Sequence, residues 1–556
     1  MQNPPTRRER ALIVLLFTVL ALVYTFPLVT RLTTHITGPA PGDNYEYVWK
    51  MWWVGHAISS PELNPFFHPD VYYPNGYPLA YGELTPAHTF GFLPLTLAVN
   101  ATFAHNIAGL LAIVLTGWVT YEWAHYRLRK DTDAAGWLLV MGALVAALAF
   151  TFYPNRVARI AGHIPMMSTQ WMVLTLLAID WWIDHRRWRD AAMIGVGIAL
   201  AALGSWYYPF MMLLLLPVYV IVQMGRGTLA ALREPRTWGA LAIVAGIVAV
   251  LTVPFLVPYL RLDTADASVG IGSVTFWSLS PVDYFVPNPR HPLYGAAAQR
   301  LVWFLPGEMP HEFYATPGYV VLVLGFIAWR HANNRALKWL VVVAALLSFG
   351  PYLTIGRLPT PVPLPALAIH TVFDSVRTYA RFSLPAIAAF SVLAGYGYVW
   401  LMGRIASQQR RVWVTAGLLL LGTFQLLNGL LGTLPVEPRP VDVWLSEQPD
   451  DTPIMQYPVS SALSGPAMLY TRFHEKPVIY GYGTYFPFVF ERDHADVYTF
   501  PDDVAVDALA AWGVRYVLVD WSAVGEAFTE ADIDAQLRVV FVEQFADDAV
   551  YEITAP

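Results

Sequence analysis

The 556-residue sequence contains no cysteine, which excludes disulfide bonds, thiol nucleophiles and thiolate metal sites. Charge is also scarce: Asp, Glu, Lys and Arg make up 13% of the chain, whereas hydrophobic residues make up 56%. A water-soluble globule of this composition would carry a mostly apolar surface, and the mean hydropathy of +0.44 agrees with that. The composition therefore predicts an α-helical polytopic membrane protein.

The few charges are distributed unevenly along the chain. From Gly432 to the C-terminus there are 21 acidic and 6 basic residues, whereas residues 1–431 carry 19 acidic and 28 basic residues. Recognition of nucleic-acid phosphates needs clustered Lys and Arg, so we expect no nucleic-acid partner for the acidic part. The contrast predicts two domains, a membrane domain over 1–431 and a soluble domain over 432–556.

Apolar runs long enough to approach the thickness of a bilayer recur throughout the membrane domain. At about 1.5 Å per residue, roughly 20 residues cross about 30 Å of hydrocarbon. The sequence predicts about eleven transmembrane helices, at 11–29, 104–125, 135–152, 165–183, 190–204, 206–225, 238–259, 317–330, 336–354, 382–402 and 411–431.

Basic residues predict the orientation of these helices, because short cytoplasmic loops are enriched in Lys and Arg. Clusters of three occur at every second loop, beginning with Arg7, Arg8 and Arg10. The alternation requires that the apolar stretch 84–101 does not cross. We therefore expect a cell-membrane protein with a cytoplasmic N-terminus and an extracytoplasmic C-terminal domain. Its long external segments would be 30–103, 260–316 and 355–381, with a short fourth at 153–164.

Several basic residues lie in the predicted external segments, against the usual trend. One cluster consists of Arg156, Arg159 and His163, and a second of Arg377 and Arg381. Guanidinium groups bind phosphate through two parallel hydrogen bonds, and lipid phosphates lie at this depth. We interpret both clusters as candidate donor-phosphate sites; anchoring to lipid headgroups is the alternative.

An acidic residue, Asp43, precedes a predicted helix over 44–58 in the first external segment. Tyr45, Trp49, Trp52 and His56 share one face of that helix, so we expect it to lie along the membrane interface. Asp43 either caps the helix or serves as a carboxylate that accepts a proton from a nucleophile. The two roles are compatible, because capping would fix its position.

Four further residues are candidates for the site. Glu83 is either a second active-site carboxylate or a charge near a helix N-terminus. Asp283 and His291, in the Pro-rich second external segment, together with Trp49 would shape an acceptor cleft, although an ordered Pro-rich loop explains the first two equally well. We identify no metal ligands.

The sequence of the acidic tail predicts a mixed α/β domain after a Pro-rich linker at 435–440. Strands are predicted near 453–457, 516–520, 539–542 and 550–553, and a helix near 503–512. No nucleophile elbow, phosphate loop or metal-ligand spacing occurs there. We expect this domain to fold on its own and to hold no catalytic residue.

The whole layout resembles the GT-C superfamily of membrane glycosyltransferases, which includes oligosaccharyltransferases, protein O-mannosyltransferases and aminoarabinose transferases. The resemblance rests on a long first span, Asp43 opening the first external loop, many spans and an external tail. The sequence is similar to uncharacterised bacterial members of the superfamily in three short motifs. These are Arg156–His163 before the span that begins at Gln170-Trp171, Arg377–Phe382 before the span that contains Ala394-Gly395, and Gly513–Tyr516 in the tail. The resemblance implies that Asp43 is catalytic or metal-binding. We do not find the pair of acidic residues that the resemblance would imply in the second loop. The requirement for a divalent metal therefore stays open.

These observations and the resemblance lead to one expected function. A sugar would pass from a polyprenyl-phosphate-linked donor to an extracytoplasmic glycan or protein acceptor, with Asp43 activating the acceptor. Membrane lipid would be a further partner. A transporter or flippase for an anionic lipid or glycolipid is the first alternative, although ionised residues within the spans are few. A non-catalytic membrane assembly scaffold is the second.

Overall fold

The computed structural model describes residues 4–38, 42–134, 136–261, 268–303, 308–449, 451–459, 461–483 and 495–554. The chain divides into two compact units. The helical unit contains residues 1–26, 109–254 and 267–431, and the mixed unit contains residues 27–108, 255–266 and 432–556. The helical unit ends at residue 431, and the first external segment, which we had assigned to the membrane domain, groups with the tail.

The described residues form fourteen helices of nine residues or more. Each of the eleven predicted apolar runs coincides with one of them, and the other three are α2, α13 and α14. The helices are α1 (Arg7–Tyr24), α2 (Asn44–Ser59), α3 (Ala101–Asp131), α4 (Trp137–Thr151), α5 (Gln170–His185), α6 (Trp188–Gly204), α7 (Tyr207–Met224), α8 (Pro235–Leu256), α9 (Tyr319–His331), α10 (Arg335–Ser348), α11 (Ser383–Gly403), α12 (Gln408–Gln425), α13 (Ser461–His474) and α14 (Asp503–Ala511).

Side-chain caps begin several of the long helices. Thr6 accepts a hydrogen bond from the backbone N–H of Glu9 at the start of α1. Asn334 and Ser407 do the same for α10 and α12. Because a cap satisfies a backbone donor that has no partner within the helix, these polar residues fix where the apolar runs become helical.

Four helices within the described ranges are long and apolar enough to cross a membrane: Ala101–Asp131, Tyr207–Met224, Pro235–Leu256 and Tyr379–Gly403. A fifth results if Trp137–Thr151 and the bent continuation Pro154–Ala161 count as one span. Other helices fall short; α9, with 13 residues, is only about 20 Å long. The fold is that of a multi-pass membrane protein, and eleven crossings stay a prediction.

The helical unit is organised around α11, of which 17 of 21 residues are buried. It packs against α4, α9 and α10. The contact with α4 needs glycine, because a Cβ added at Gly395 would lie 2.6 Å from the carbonyl oxygen of Gly142. By contrast α8 has a mean hydropathy of 2.5 and little buried surface, as expected of a helix that faces lipid.

The mixed unit contains a four-stranded sheet in the order β7-β8-β10-β9. Strand β8 runs parallel to β7 and antiparallel to β10, which is antiparallel to β9. All four predicted tail strands are present, and so is the predicted tail helix, as α14. The strands are β1 (His35–Thr37), β2 (Phe67–His68), β3 (Tyr77–Pro78), β4 (Tyr352–Ile355), β5 (Leu358–Pro363), β6 (Thr433–Pro435), β7 (Ile454–Tyr457), β8 (Tyr516–Asp520), β9 (Val539–Phe545) and β10 (Asp548–Ile553).

The first external segment and the tail share one hydrophobic core in the mixed unit. Trp49 and Tyr77 from the segment belong to the same buried cluster as Met455 and Val517 from the tail. Strand β1 pairs with β6, and the Trp49 indole N–H donates to Thr471 Oγ1 at 3.2 Å. The core of the tail is therefore continuous with that of the first external segment in the described structure.

Helix α2 has nearly the predicted bounds but a different environment. Twelve of its 16 residues are buried, including the charged Glu46 and Lys50. Of the aromatic stripe, Tyr45 and Trp49 are buried inside the mixed unit, whereas Trp52 and His56 are half-buried. The same amphipathic spacing also suits a helix that is largely covered by protein, so a position at the membrane interface stays a prediction.

Candidate functional site

Asp43 lies at the N-terminal end of α2, in the mixed unit. Its backbone carbonyl accepts a hydrogen bond from Tyr47 N at 3.1 Å, but its side chain makes no capping hydrogen bond to the helix. The Asp43 carboxylate instead accepts a hydrogen bond from the hydroxyl of Tyr482, in the tail. The side chain is partly exposed. The capping interpretation is therefore wrong, and Tyr482 orients a carboxylate that is partly exposed.

Glu46 and Lys50 form a buried ion pair one turn further along α2. Lys50 Nζ donates to Glu46 Oε1 at 2.5 Å and to the backbone carbonyl of Glu83 at 3.1 Å. Burial raises the pKa of Glu46, Lys50 opposes that rise, and the charges of Asp43 and Glu83 add to it. Glu46 thus lies within electrostatic reach of both Asp43 and Glu83 and is paired with the Lys50 ammonium.

Gly82 lets this ion pair approach the backbone closely. A Cβ added at position 82 would overlap Glu46 Oε1 and Lys50 Nζ. Only glycine leaves room for the pair in this arrangement. We did not predict Glu46 from the sequence, although the spacing of Asp43, Glu46 and Lys50 at i, i+3 and i+7 on one helix is a signal that could have revealed it.

Arg156, one of the predicted phosphate ligands, is completely buried in the helical unit. Its Nε donates to Thr169 Oγ1, its Nη1 to the carbonyl of Thr151, and its Nη2 to the carbonyl of Ala112 and to Thr116 Oγ1, each at 2.7 Å. Every guanidinium nitrogen of Arg156 already has a protein acceptor. In this conformation its role is to link α3, α4 and the segment before α5.

Arg159 and Arg381 share one carboxylate, that of Glu312. Arg159 donates to both Glu312 oxygens, at 3.1 and 2.5 Å, and Arg381 Nε donates to Oε1 at 3.2 Å. All three side chains are buried. Burial opposes the charge on Glu312, but the two arginines outweigh it and hold the pKa of this carboxyl well below its usual range. From the sequence we assigned Arg159 and Arg381 to two separate clusters and did not predict Glu312, which joins them.

Arg377 is the exposed member of the predicted arginine clusters, and its guanidinium lies 5.6 Å from the ring centroid of Trp277. His163 lies beside His311, with ring centroids 5.7 Å apart. The segment that carries Arg156, Arg159 and His163 is not one helix: the helix Pro154–Ala158 passes into a 3-10 turn that ends before Gly162. Arg156 and His163 therefore do not lie on one continuous helix.

The three predicted acceptor-cleft residues all have structural partners. Asp283 pairs with Arg357 and caps the 3-10 helix Pro281–Phe285 by accepting from Ser280 N at 2.7 Å. The His291 ring stacks on Tyr294 with centroids 3.7 Å apart, and both Asp283 and His291 belong to the helical unit. Trp49 is fully buried in the core of the mixed unit.

Comparison with known proteins defines the class of fold. No family model matches the chain, and no curated protein matches it by sequence. Among solved structures, the mycobacterial arabinofuranosyltransferase AftD is similar over 100% of this chain, with a TM-score of 0.57 and 15% identity. The oligosaccharyltransferase of Archaeoglobus fulgidus, solved with Zn and sulfate, is similar over 98% of this chain and 73% of its own, with a TM-score of 0.52 and 14% identity.

These two proteins are GT-C glycosyltransferases, and the chain has their fold, which confirms the resemblance found in the sequence. This chain spans 42% of the length of the arabinofuranosyltransferase. At such low identities the similarity establishes the fold and not the reaction.

The superfamily raises the question of a divalent metal at the first-loop acid. Among the residues that the structure describes, no group of three or more His, Asp or Glu side chains could hold a metal ion. Beside Asp43, the Lys50 ammonium already neutralises Glu46 at 2.5 Å. A cation bound to Glu46 would be repelled by Lys50, so Glu46 does not fit a divalent metal as it is arranged.

Proposed function

We propose that the protein is a membrane glycosyltransferase that moves a sugar from a polyprenyl-phosphate-linked donor to an extracytoplasmic glycan or protein acceptor. The observation that carries the proposal is the Asp43 carboxylate: it is partly exposed, it is oriented by Tyr482 and it does not cap α2. It stands at the start of the helix that follows the first span, where the resemblance places the functional acid of the superfamily.

In the proposed reaction Asp43 is the acceptor-activating base. It takes the proton of the acceptor hydroxyl while the acceptor oxygen forms a bond to the anomeric carbon of the sugar. The bond between that carbon and the phosphate oxygen breaks, and the electron pair leaves with the polyprenyl phosphate. The proton ends on Asp43 and passes to solvent after the acceptor departs.

Two neighbours would tune this carboxylate without touching substrate. The Tyr482 hydroxyl donates to the ionised form and fixes its direction, so Tyr482 is a positioning residue. The Lys50 ammonium offsets the negative charge of Glu46, which otherwise adds to that of Asp43 and Glu83. With Glu46 neutralised, the cluster would carry the charges of Asp43 and Glu83 rather than three that repel one another.

We assign the donor phosphate first to Arg377, because it is exposed, whereas Arg156, Arg159 and Arg381 are engaged with protein acceptors. An exposed guanidinium held against an aromatic face keeps its N–H edge available for the two oxygens of a phosphate. Arg159 and Arg381 would take part only if Glu312 released them.

The test is Asp43→Asn in the full chain, assayed with a polyprenyl-phosphate sugar donor. General-base catalysis contributes about 10²–10⁴-fold, so we expect turnover to fall by that factor while donor binding stays unchanged. The matched control is Asp496→Asn, the same change at an exposed aspartate of the same unit. Wild-type turnover by a stably folded Asp43→Asn protein would remove Asp43 from the active site.

A further inference from the structure

A cavity of about 540 Å³ opens in the mixed unit between α2, the segment 96–102 and the start of the tail. Trp52, His56 and Ser59 of α2 line one side, and Arg472 and Phe473 of α13 line another. Asp43 is not part of the lining: it precedes Trp52 by nine residues, about 14 Å along the helix axis. The cavity is therefore separate from the proposed catalytic carboxylate.

Arg472 brings an uncompensated positive charge to this cavity. Its Nη1 donates to Thr102 Oγ1 at 3.3 Å and its Nη2 to the backbone carbonyl of Val436. Its buried Nε has no hydrogen-bond partner, and no carboxylate pairs with the guanidinium among the described residues. Two of five N–H donors are thus used, both by neutral acceptors.

The surroundings make this charge costly. Burial lowers the pKa of Arg472 to about 10, which means that the folded protein disfavours the charged form. The acidic residue on the rim, Glu437, is exposed and makes no ion pair with Arg472 in the described structure. An anion that enters the cavity would supply the negative countercharge that no described carboxylate provides to Arg472.

Aromatic and hydroxyl groups line the cavity together with the Arg472 guanidinium. Its carbon lies 4.5 Å from the ring centroid of Phe473, and the Trp52 indole stacks on His56 with centroids 5.4 Å apart. Thr33, Thr34 and Ser59 add hydroxyl groups to the lining. A concave site with aromatic faces, hydroxyl groups and one cation suits a ligand that has apolar ring faces, hydroxyl groups and one anion.

We propose that this cavity binds a sugar that carries an anionic group, a carboxylate or a phosphate, with Arg472 holding the anion and Trp52 and Phe473 contacting the ring. The choice of a sugar rests on the proposed transferase function, since such a site would hold part of an acidic acceptor glycan. The choice of an anion rests on Arg472 alone. The site binds and selects the anionic sugar, and it takes no part in bond formation.

Binding of four small molecules to the detergent-solubilised full chain tests the proposal by calorimetry: glucuronate, glucose 6-phosphate, glucose and inorganic phosphate. We expect both anionic sugars to bind at least tenfold more tightly than glucose or inorganic phosphate. Arg472→Gln should weaken their binding at least tenfold. Arg31→Gln, which removes the same charge from an exposed residue close to the lining Thr33, should leave it unchanged.

Equal affinity for glucose and glucuronate in the wild-type chain would overturn the proposal, and that comparison stands even if Arg472→Gln fails to fold. Preference for inorganic phosphate, or for short-chain phosphatidylglycerol over the acidic sugars, would also overturn it. Asp43→Asn should bind the anionic sugars normally. Binding of the anionic sugars without transferase activity would therefore refute only the proposed function. Transferase activity without such binding would refute only this site.

Discussion

At the scale of single residues, the Glu312 carboxylate is the countercharge that two arginines of the helical unit share. Arg159 and Arg381 both donate to its carboxylate, and all three side chains are buried. A buried charge that loses its partner is far more costly than an exposed one. The carboxylate is therefore a structural requirement for two arginines that sequence reasoning assigned to phosphate.

We expect Glu312→Gln to lower the free energy of unfolding by about 3–5 kcal/mol, because it keeps the shape but leaves two buried arginines without a countercharge. Thermal unfolding of the full chain measures this. The control, Glu308→Gln, changes an exposed residue of the same segment and should stay within about 0.5 kcal/mol of wild type. Equal stability of the two variants would show that the arginines do not depend on Glu312.

The pH dependence of stability gives a second readout of the same carboxyl. Its folded-state pKa is lowered, so its contribution is complete above the unfolded value of about 4.3 and is lost as the pH falls below that. We expect the stability difference between wild type and Glu312→Gln to shrink as the pH falls through this range. A constant difference would contradict the assignment.

At the scale of elements, α2 joins the first external segment to the tail. Trp49 is fully buried. Its indole N–H donates to Thr471 Oγ1, and its ring centroid lies 5.3 Å from that of His68. Burial against the tail makes Trp49 a core residue, whereas the sequence suggested an acceptor contact.

Trp49→Ala should therefore reduce stability by about 3–5 kcal/mol, the usual cost of emptying a large aromatic site in a core. Thermal unfolding is again the measurement, and Leu537→Ala, at a 92% exposed residue of the same unit, is the control. A variant that keeps wild-type stability but loses acceptor affinity would support the acceptor-cleft prediction instead.

Helices and strands were the predictable elements, because each depends on a local pattern. The apolar runs became helices and the β-branched stretches of the tail became strands β7 to β10. The partners of the functional side chains were not predictable in this way. Arg159 and Glu312 are 153 residues apart, and Asp43 and Tyr482 are 439 apart, so no periodicity connects them.

At the scale of the whole molecule, the shared core changes the expectation for the tail. Residues 432–556 alone would expose the apolar faces that pack on Trp49 and Tyr77. We expect the isolated tail to show no cooperative unfolding by circular dichroism, and a fusion of 27–108 to 432–556 to restore it. A cooperative transition in the isolated tail would support the independently folding domain that the sequence predicted.

The orientation of the termini stays a prediction from the basic loops, with the N-terminus inside and the C-terminus outside. A reporter that is active only outside the cytoplasm, fused after Pro556, should be active, and the same reporter before Arg7 should not. Activity of a cytoplasmic reporter at the C-terminus would contradict this topology and place the proposed Asp43–Tyr482 site on the wrong side for an external acceptor.

The pairing of β1 with β6 and the shared core also have a consequence for biosynthesis. A ribosome that adds about 5–20 residues per second needs roughly 15 to 65 s to proceed from residue 108 to residue 432. For that interval the aromatic face of α2 has been made but its partner has not. The nascent segment must be shielded by lipid or by a chaperone, so translation speed and chaperone supply should limit the yield of correctly assembled protein.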